Sequence, residues 1–181
     1  MAVKVSNPSS IKPGEHWSIS KEELEKIFEK DEEIRSLRGK VLGYSLDIED
    51  FIDEIILYTF FPNRREDLEL FENIVYRKEF FSFFNKWKIF RELNKLSKFA
   101  VKVEDDLIKE IHEVMEVRDR FAHGRISFSG TKPRIEYYNN GVKIDELTPE
   151  YMENVFEKMT ITHDKLVTLT NELDKHKKSE N

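Results

Sequence analysis

The feature that most constrains the fold is a long apolar stripe at helical spacing. Ile34, Leu37, Val41, Leu42, Ile48, Phe51, Ile52, Ile55 and Ile56 recur at three- and four-residue steps. A pattern of period 3.6 buries one face of a helix and cannot settle as a strand. It predicts a helix over about 32–60, ended by Pro62 and Asn63. Gly39 and Gly43 lie inside it and read as a close helix crossing or a mild kink. Just upstream, Ser20 stands three residues before Glu23, the spacing of a capping box. Leu24, Ile27 and Phe28 then give a short apolar stripe of their own.

Further stripes predict helices at about 65–75, 80–98 and 104–123. After Gly124 the period shortens to two. Ile126 and Phe128 alternate with Ser127 and Ser129, and two more short strands, Arg134–Tyr138 and Val142–Ile144, flank Asn139-Asn140-Gly141, a hairpin turn. Thr148 and Pro149 cap and open a last helix carrying Met152, Val155, Phe156, Met159, Leu166, Leu169 and Leu173. The expected fold class is all-α. It is a bundle of five to six helices with a small β-hairpin, about 125–144, inserted before the last helix. The expected organisation is a loose N-terminal arm over 1–15, a single domain over 16–177 and a frayed tail over 178–181.

Composition removes several function classes. Cys 0 excludes disulfide frameworks, thiol catalysis and Cys-ligated metal centres. No apolar run reaches the roughly 18 residues of a membrane span, and the amino terminus shows no apolar signal-peptide core, so a cytoplasmic protein with no membrane partner is expected. The net charge of −6 argues against coating nucleic acid wholesale, but not against a local basic groove. No phosphate-binding glycine loop and no Ser/His/Asp arrangement stand out, and no cofactor is expected.

Chemistry concentrates in the helix that ends at Gly124. On a helical projection Leu107, Ile111, Val114, Met115 and Phe121 share one apolar arc, and Arg118 falls near its middle. A guanidinium there must be desolvated and needs a carboxylate, a phosphate or a second subunit. In the plain structural reading it is a core arginine paired with Asp47 or Asp50. His112, Glu116, Asp119 and His123 form a row on the flank of the arc. Asp119 can then hydrogen-bond His123 and fix its tautomer, while His123 sits in the last turn, where the helix dipole favours a cation and where it can serve simply as a cap. An oriented histidine beside an arginine suits phosphodiester chemistry: one moves protons near neutral pH, the other stabilises charge on phosphate. A metal held by His112, Glu116 and His123 is a weaker alternative, and no metal is expected. Gly124 itself predicts a left-handed stop to the helix.

Val117-Arg118-Asp119-Arg120-Phe121-Ala122-His123-Gly124 resembles the arginine–polar–histidine signature of the HEPN superfamily. Val41-Leu42-Gly43-Tyr44-Ser45-Leu46-Asp47-Ile48-Glu49-Asp50-Phe51-Ile52 is similar to the matching earlier helix of its mannitol-operon-repressor-like branch. The resemblance implies a metal-independent endoribonuclease, toxin- or defence-like, that dimerises so two such motifs face one cleft. Arg118, Asp119 and His123 would be the catalytic residues, with Asp119 where Asn is common. It implies a homodimer, an RNA substrate and an antitoxin or regulatory protein as partners. The alternative within the same superfamily is a non-catalytic dimeric scaffold, corepressor, or nucleotide-binding or antitoxin-like module.

Residues 76–102 are basic: Arg77, Lys78, Lys86, Lys88, Arg91, Lys95, Lys98 and Lys102 face only Glu79 and Glu92. Phe80, Phe81, Phe83, Phe84, Trp87, Phe90 and Phe99 interleave with them. Such a mixture grips phosphates and stacks bases in nucleic-acid proteins, although aromatics at helical spacing more often form core.

Overall fold

The computed structural model describes residues 20–61, 69, 71, 82–96, 99 and 101–180. Helix α1 spans Lys21–Phe60 and helix α2 spans Phe83–Glu92, running into a 3-10 turn at Leu93–Lys95. Helix α3 spans Asp105–His123. Strands β1 (Arg125–Ser129), β2 (Lys132–Tyr138) and β3 (Val142–Glu146) follow, and helix α4 closes the chain at Pro149–Glu180. The described residues therefore form four α-helices, not five to six, with a small antiparallel sheet of order β1-β2-β3 built from the three short strands read in the sequence. The helix expected at about 65–75 and the N-terminal arm fall almost wholly outside the described residues.

One difference in helix number has a clear cause. The two helices expected over 20–60 are one. The segment Glu29-Lys30-Asp31-Glu32-Glu33 that separates their stripes contains neither glycine nor proline, and charged residues of this kind propagate a helix well. Arg35 Nε donates to Asp31 Oδ2 at 2.7 Å across one turn of it. The start is the capping box read from sequence: Glu23 N donates to Ser20 Oγ at 3.1 Å, and Ser20 N donates to Glu23 Oε2 at 3.1 Å. The bonds that the Glu23 carboxylate accepts from Ser20 N and, at 3.0 Å, from Ser20 Oγ hold it below its ordinary pKa. Gly39 and Gly43 mark no close crossing by a described element, because outside the helix's own backbone no described residue lies within 4 Å of where a Cβ would stand on either.

The chain folds into two compact units whose boundaries fall inside α1, α3 and α4. The first combines residues up to Gly43 with Val117–Phe156. Its core holds Ile34, Val41, Phe121, Phe128, Ile135 and Met152, all buried. The sheet supplies Phe128 and Ile135 from one face, as strand alternation requires. β1 and β2 turn at Gly130, whose φ is +60°; β2 and β3 turn at Asn139-Asn140-Gly141, with φ of 51° at Asn140 and 133° at Gly141. Thr148 Oγ1 accepts the Tyr151 N–H at 3.1 Å and caps α4.

The second unit combines Tyr44–Glu116 with the residues from Glu157 on. Ile48, Ile52 and Ile55 of α1, Phe83, Phe90 and Leu93 around α2, Ile111 and Val114 of α3, and Met159 and Leu166 of α4 are buried in it. Two of its buried hydroxyls are satisfied locally: Thr59 Oγ1 donates to Ile55 O at 2.7 Å and Thr162 Oγ1 to Lys158 O at 2.9 Å. Asn94 clamps the approach to α3 by accepting the Val103 N–H at 2.8 Å and donating to the Val103 carbonyl at 2.7 Å.

Lys86 is the unexpected member of this core. It is only 7% exposed, and its Nζ donates to Glu49 Oε1 and Asp53 Oδ2, each at 2.6 Å. The two carboxylates lie one turn apart on α1, so both reach the same ammonium. Burial alone would push Lys86 toward neutrality. The bonds and charges of Asp53 and Glu49 outweigh it and raise the ammonium above its ordinary pKa. A raised lysine contributes its full stability below its unfolded pKa, about 10.4, and loses it as pH climbs through the higher folded value. We therefore expect the chain to keep this contribution through neutral and mildly alkaline pH and to lose it only in strong alkali. Urea midpoints measured from pH 7 to 11 would show it, with Lys86→Met lacking that alkaline loss.

Candidate active site at the end of helix α3

The last two turns of α3 lie in the first unit and carry all three residues singled out by sequence. Val117 and Phe121 face the core, both buried, while Arg118 lies at the boundary with its side chain 34% exposed. The expectation of a desolvated Arg118 is corrected by this placement. A guanidinium costs too much to bury when Val117 can take the inward position, so the arginine runs its stem along the apolar edge and keeps its head wet. It pairs with neither Asp47 nor Asp50. Arg118 Nη1 donates to Asp119 Oδ1 at 2.9 Å.

That bond also changes the expected role of Asp119. Among the described residues its carboxylate receives Arg118 and makes no hydrogen bond with His123. Asp119 and His123 are both exposed. The structure thus brings Arg118 and Asp119 together directly, with His123 one turn beyond Asp119 on the same helix and open to solvent. Only one Arg118–carboxylate bond is made, so the other donors of the fork remain available to an anion. No three His, Asp or Glu side chains converge as metal ligands among the described residues.

The helix end is fixed from three sides. Arg38 Nη2 of α1 donates to the Ala122 carbonyl at 2.7 Å, satisfying one of the carbonyls a helix terminus leaves open. Ala122 itself is half-buried. The Gly124 N–H donates to Arg120 O at 2.7 Å, and β1 begins at the next residue. The left-handed stop expected at Gly124 is not what the structure shows. Gly124 is not among the positive-φ glycines, and the need for glycine is one of space. A Cβ there would stand 2.2 Å from Arg120 O and 2.7 Å from Ile135 Cγ1. Gly124→Ala should therefore destabilise the fold by roughly 1–3 kcal/mol through overpacking. Chemical denaturation measures this, and an unchanged midpoint would refute the close approach as the reason for glycine.

Arg120 is a residue that sequence reasoning passed over. Its Nη1 lies 3.4 Å from Asp145 Oδ2, which the Tyr151 hydroxyl also approaches at 3.4 Å, and its guanidinium stands 5.3 Å from the centre of the Tyr137 ring. Burial opposes the charge on Arg120, yet Tyr151, Tyr137 and Asp145 together raise its pKa, while burial raises that of Tyr151. The cluster ties the end of α3 to β3 and to the first turn of α4. Its only signal in sequence is an arginine on the helix face two positions after Arg118.

In the second unit, part of the basic segment forms a surface. Phe84 and Trp87 stack with ring centres 5.7 Å apart at 20°, and Trp87 meets the His112 ring at 4.8 Å. Lys88 Nζ stands 4.1 Å above Phe84, and the Arg91 guanidinium 5.0 Å from Trp87. Trp87 Nε1 donates to Ile108 O at 2.9 Å, which fixes the indole. Phe83 and Phe90 are core, as the plain structural reading of the aromatics has it. Lys86, read as part of the basic surface, belongs instead to the buried ion triad. Phe80, Phe81, Arg77, Lys78 and Lys98 lie outside the described residues. No helix among the described residues is long and apolar enough to cross a membrane. No protein-family model, curated protein or solved structure matches the chain.

Proposed function

We propose that the chain is a HEPN-type, metal-independent endoribonuclease, toxin- or defence-like, acting as a homodimer. The observation that carries this reading is the exposure of both Arg118 and His123 at the end of α3. An arginine and histidine kept only to hold a helix contact would be sealed within it; these two are open to a phosphate. The RNA 2′-hydroxyl attacks the adjacent phosphorus, the 5′-oxygen leaves, and a 2′,3′-cyclic phosphate forms. His123 takes or returns the proton in this exchange, and Arg118 stabilises the charge growing on the phosphate oxygens. Asp119 positions the Arg118 guanidinium through their shared bond. The exposed Phe84, with Trp87, Lys88 and Arg91, supports RNA as the substrate class, because aromatics and cations at one surface bind bases and phosphates together.

The experiment is cleavage of a single-stranded RNA in EDTA, beside the same sequence lacking 2′-hydroxyls. The RNA should be cut and the deoxy strand left whole. Cutting of the deoxy strand would overturn the mechanism, and no cutting of either would move the chain to the non-catalytic scaffold class.

A further inference from the structure

The three-stranded sheet ends in β1 on one side and β3 on the other, and the β3 edge is the one flanked by exposed apolar side chains. β3 is hydrogen-bonded to β2 alone, and no backbone bond from its outer side to another described residue is present. The two most exposed large apolar side chains of the described residues gather there, Tyr138 at 81% and Val142 at 74%, with Ile144 at 54% beside them. Val142 pairs with Tyr138 in the β2–β3 register, so the three form one patch on one face. An open strand edge beside an apolar patch is a template for strand addition, and natural proteins usually blunt such edges with charge. β3 carries its charges in an order that selects its own copy.

We propose that β3 pairs antiparallel with β3 of a second copy of this chain, about a twofold axis at Ile144. The strand reads Val142-Lys143-Ile144-Asp145-Glu146. Centred on Ile144, this register places Lys143 opposite the partner's Asp145 and Asp145 opposite the partner's Lys143. Ile144 then meets the partner's Ile144. A twofold axis perpendicular to the sheet keeps each face on its own side, so the register can slide only by two residues at a time. Sliding one way sets Lys143 against the partner's Lys143; sliding the other sets Asp145 against the partner's Asp145. Both juxtapose like charges directly across the strands, which is destabilising. In the central register Lys143 and Asp145 meet opposite charges and Ile144 meets Ile144, while Val142 stands across from the partner's Glu146 at the ends of the pairing. Two sheets joined this way become one of six strands, with a self-complementary interface that uses up the β3 edge of both copies.

This inference shares with the proposed function only the expectation of a dimer, and it needs none of the RNA chemistry. Sedimentation of the full chain at tens of micromolar should show a dimer, and Ile144→Lys, which sets two ammoniums across the axis, should be monomeric. Lys143→Asp and Asp145→Lys should each be monomeric alone and should form a heterodimer when mixed in equal amounts. Mixing restores opposite charges at both contacts. Circular dichroism confirms that each variant is folded; should Asp145→Lys unfold by losing its Arg120 and Tyr151 contacts, Lys143→Asp and Ile144→Lys decide the matter. A monomeric wild type, or a dimer that survives Ile144→Lys, overturns the proposal. Assaying the same samples for RNA cleavage separates the two readings: a dimer lost with Ile144→Lys in a chain without cleavage sustains this interface and removes the nuclease, and cleavage by a monomer does the reverse.

Discussion

Replacing His123 with alanine is expected to lower RNA cleavage by about 10²-fold or more, the share that a positioned proton-transfer group contributes. The fold should survive, because the imidazole is exposed at the last position of α3 and bonds no described side chain. Far-UV circular dichroism and the denaturation midpoint should therefore match the wild type. Arg118→Ala is a cleaner test than the helical projection implies, since the guanidinium lies at the edge of the core and not within it. It should lower cleavage through lost charge stabilisation, and Arg118→Lys should recover part, since an ammonium carries the charge without the planar fork. Asp119→Asn should be milder, because an amide oxygen still accepts the Arg118 N–H. EDTA should leave all these rates unchanged, as a substrate hydroxyl needs no metal-bound water. Equal activity of wild type and His123→Ala would remove the histidine from the mechanism.

The largest expected loss of stability comes from Lys86. Lys86→Met keeps most of the volume but removes the ammonium that Glu49 and Asp53 share. Removing one partner from a buried ion group costs about 3–5 kcal/mol, because the remaining charge stays desolvated. The two carboxylates are more exposed than the lysine, which places the expected cost near about 3 kcal/mol. Replacing all three with apolar residues of similar size should recover much of it. Urea denaturation measures both, and a Lys86→Met midpoint equal to wild type would show that the triad contributes no net stability.

Much of the fold was legible because local signals agreed with their surroundings. Ser20 and Glu23 make the reciprocal bonds their spacing predicted, and Thr148 caps the last helix. Asn140 and Gly141 adopt the positive φ that their turn requires. The stripe of Ile48, Ile52 and Ile55 is core. The failures share a cause: periodicity reports which face is apolar, not how a polar side chain resolves its position on that face. Arg118 and Lys86 both interrupt apolar stripes. Arg118 escapes to solvent because the neighbouring Val117 can turn inward. Lys86, between Phe83 and Phe90, stays inside because two carboxylates of α1 meet it. Nothing local to Lys86 foretells its outcome; the carboxylates that decide it lie on another element. Gly124 shows the same limit, for its packing neighbour is Ile135, which a hairpin turn brings back from eleven residues further along.

The one-residue junction between α3 and β1 has a kinetic meaning. His123 ends the helix, Gly124 is pressed against Ile135 and the Arg120 carbonyl, and Arg125 already belongs to the sheet. The backbone at this joint has no slack, so the imidazole can search only its two side-chain torsions. Its translational freedom was surrendered when the chain folded, not when a substrate arrives. A reacting group held this way starts close to its working position, and little of the binding energy of a substrate is diverted to ordering it.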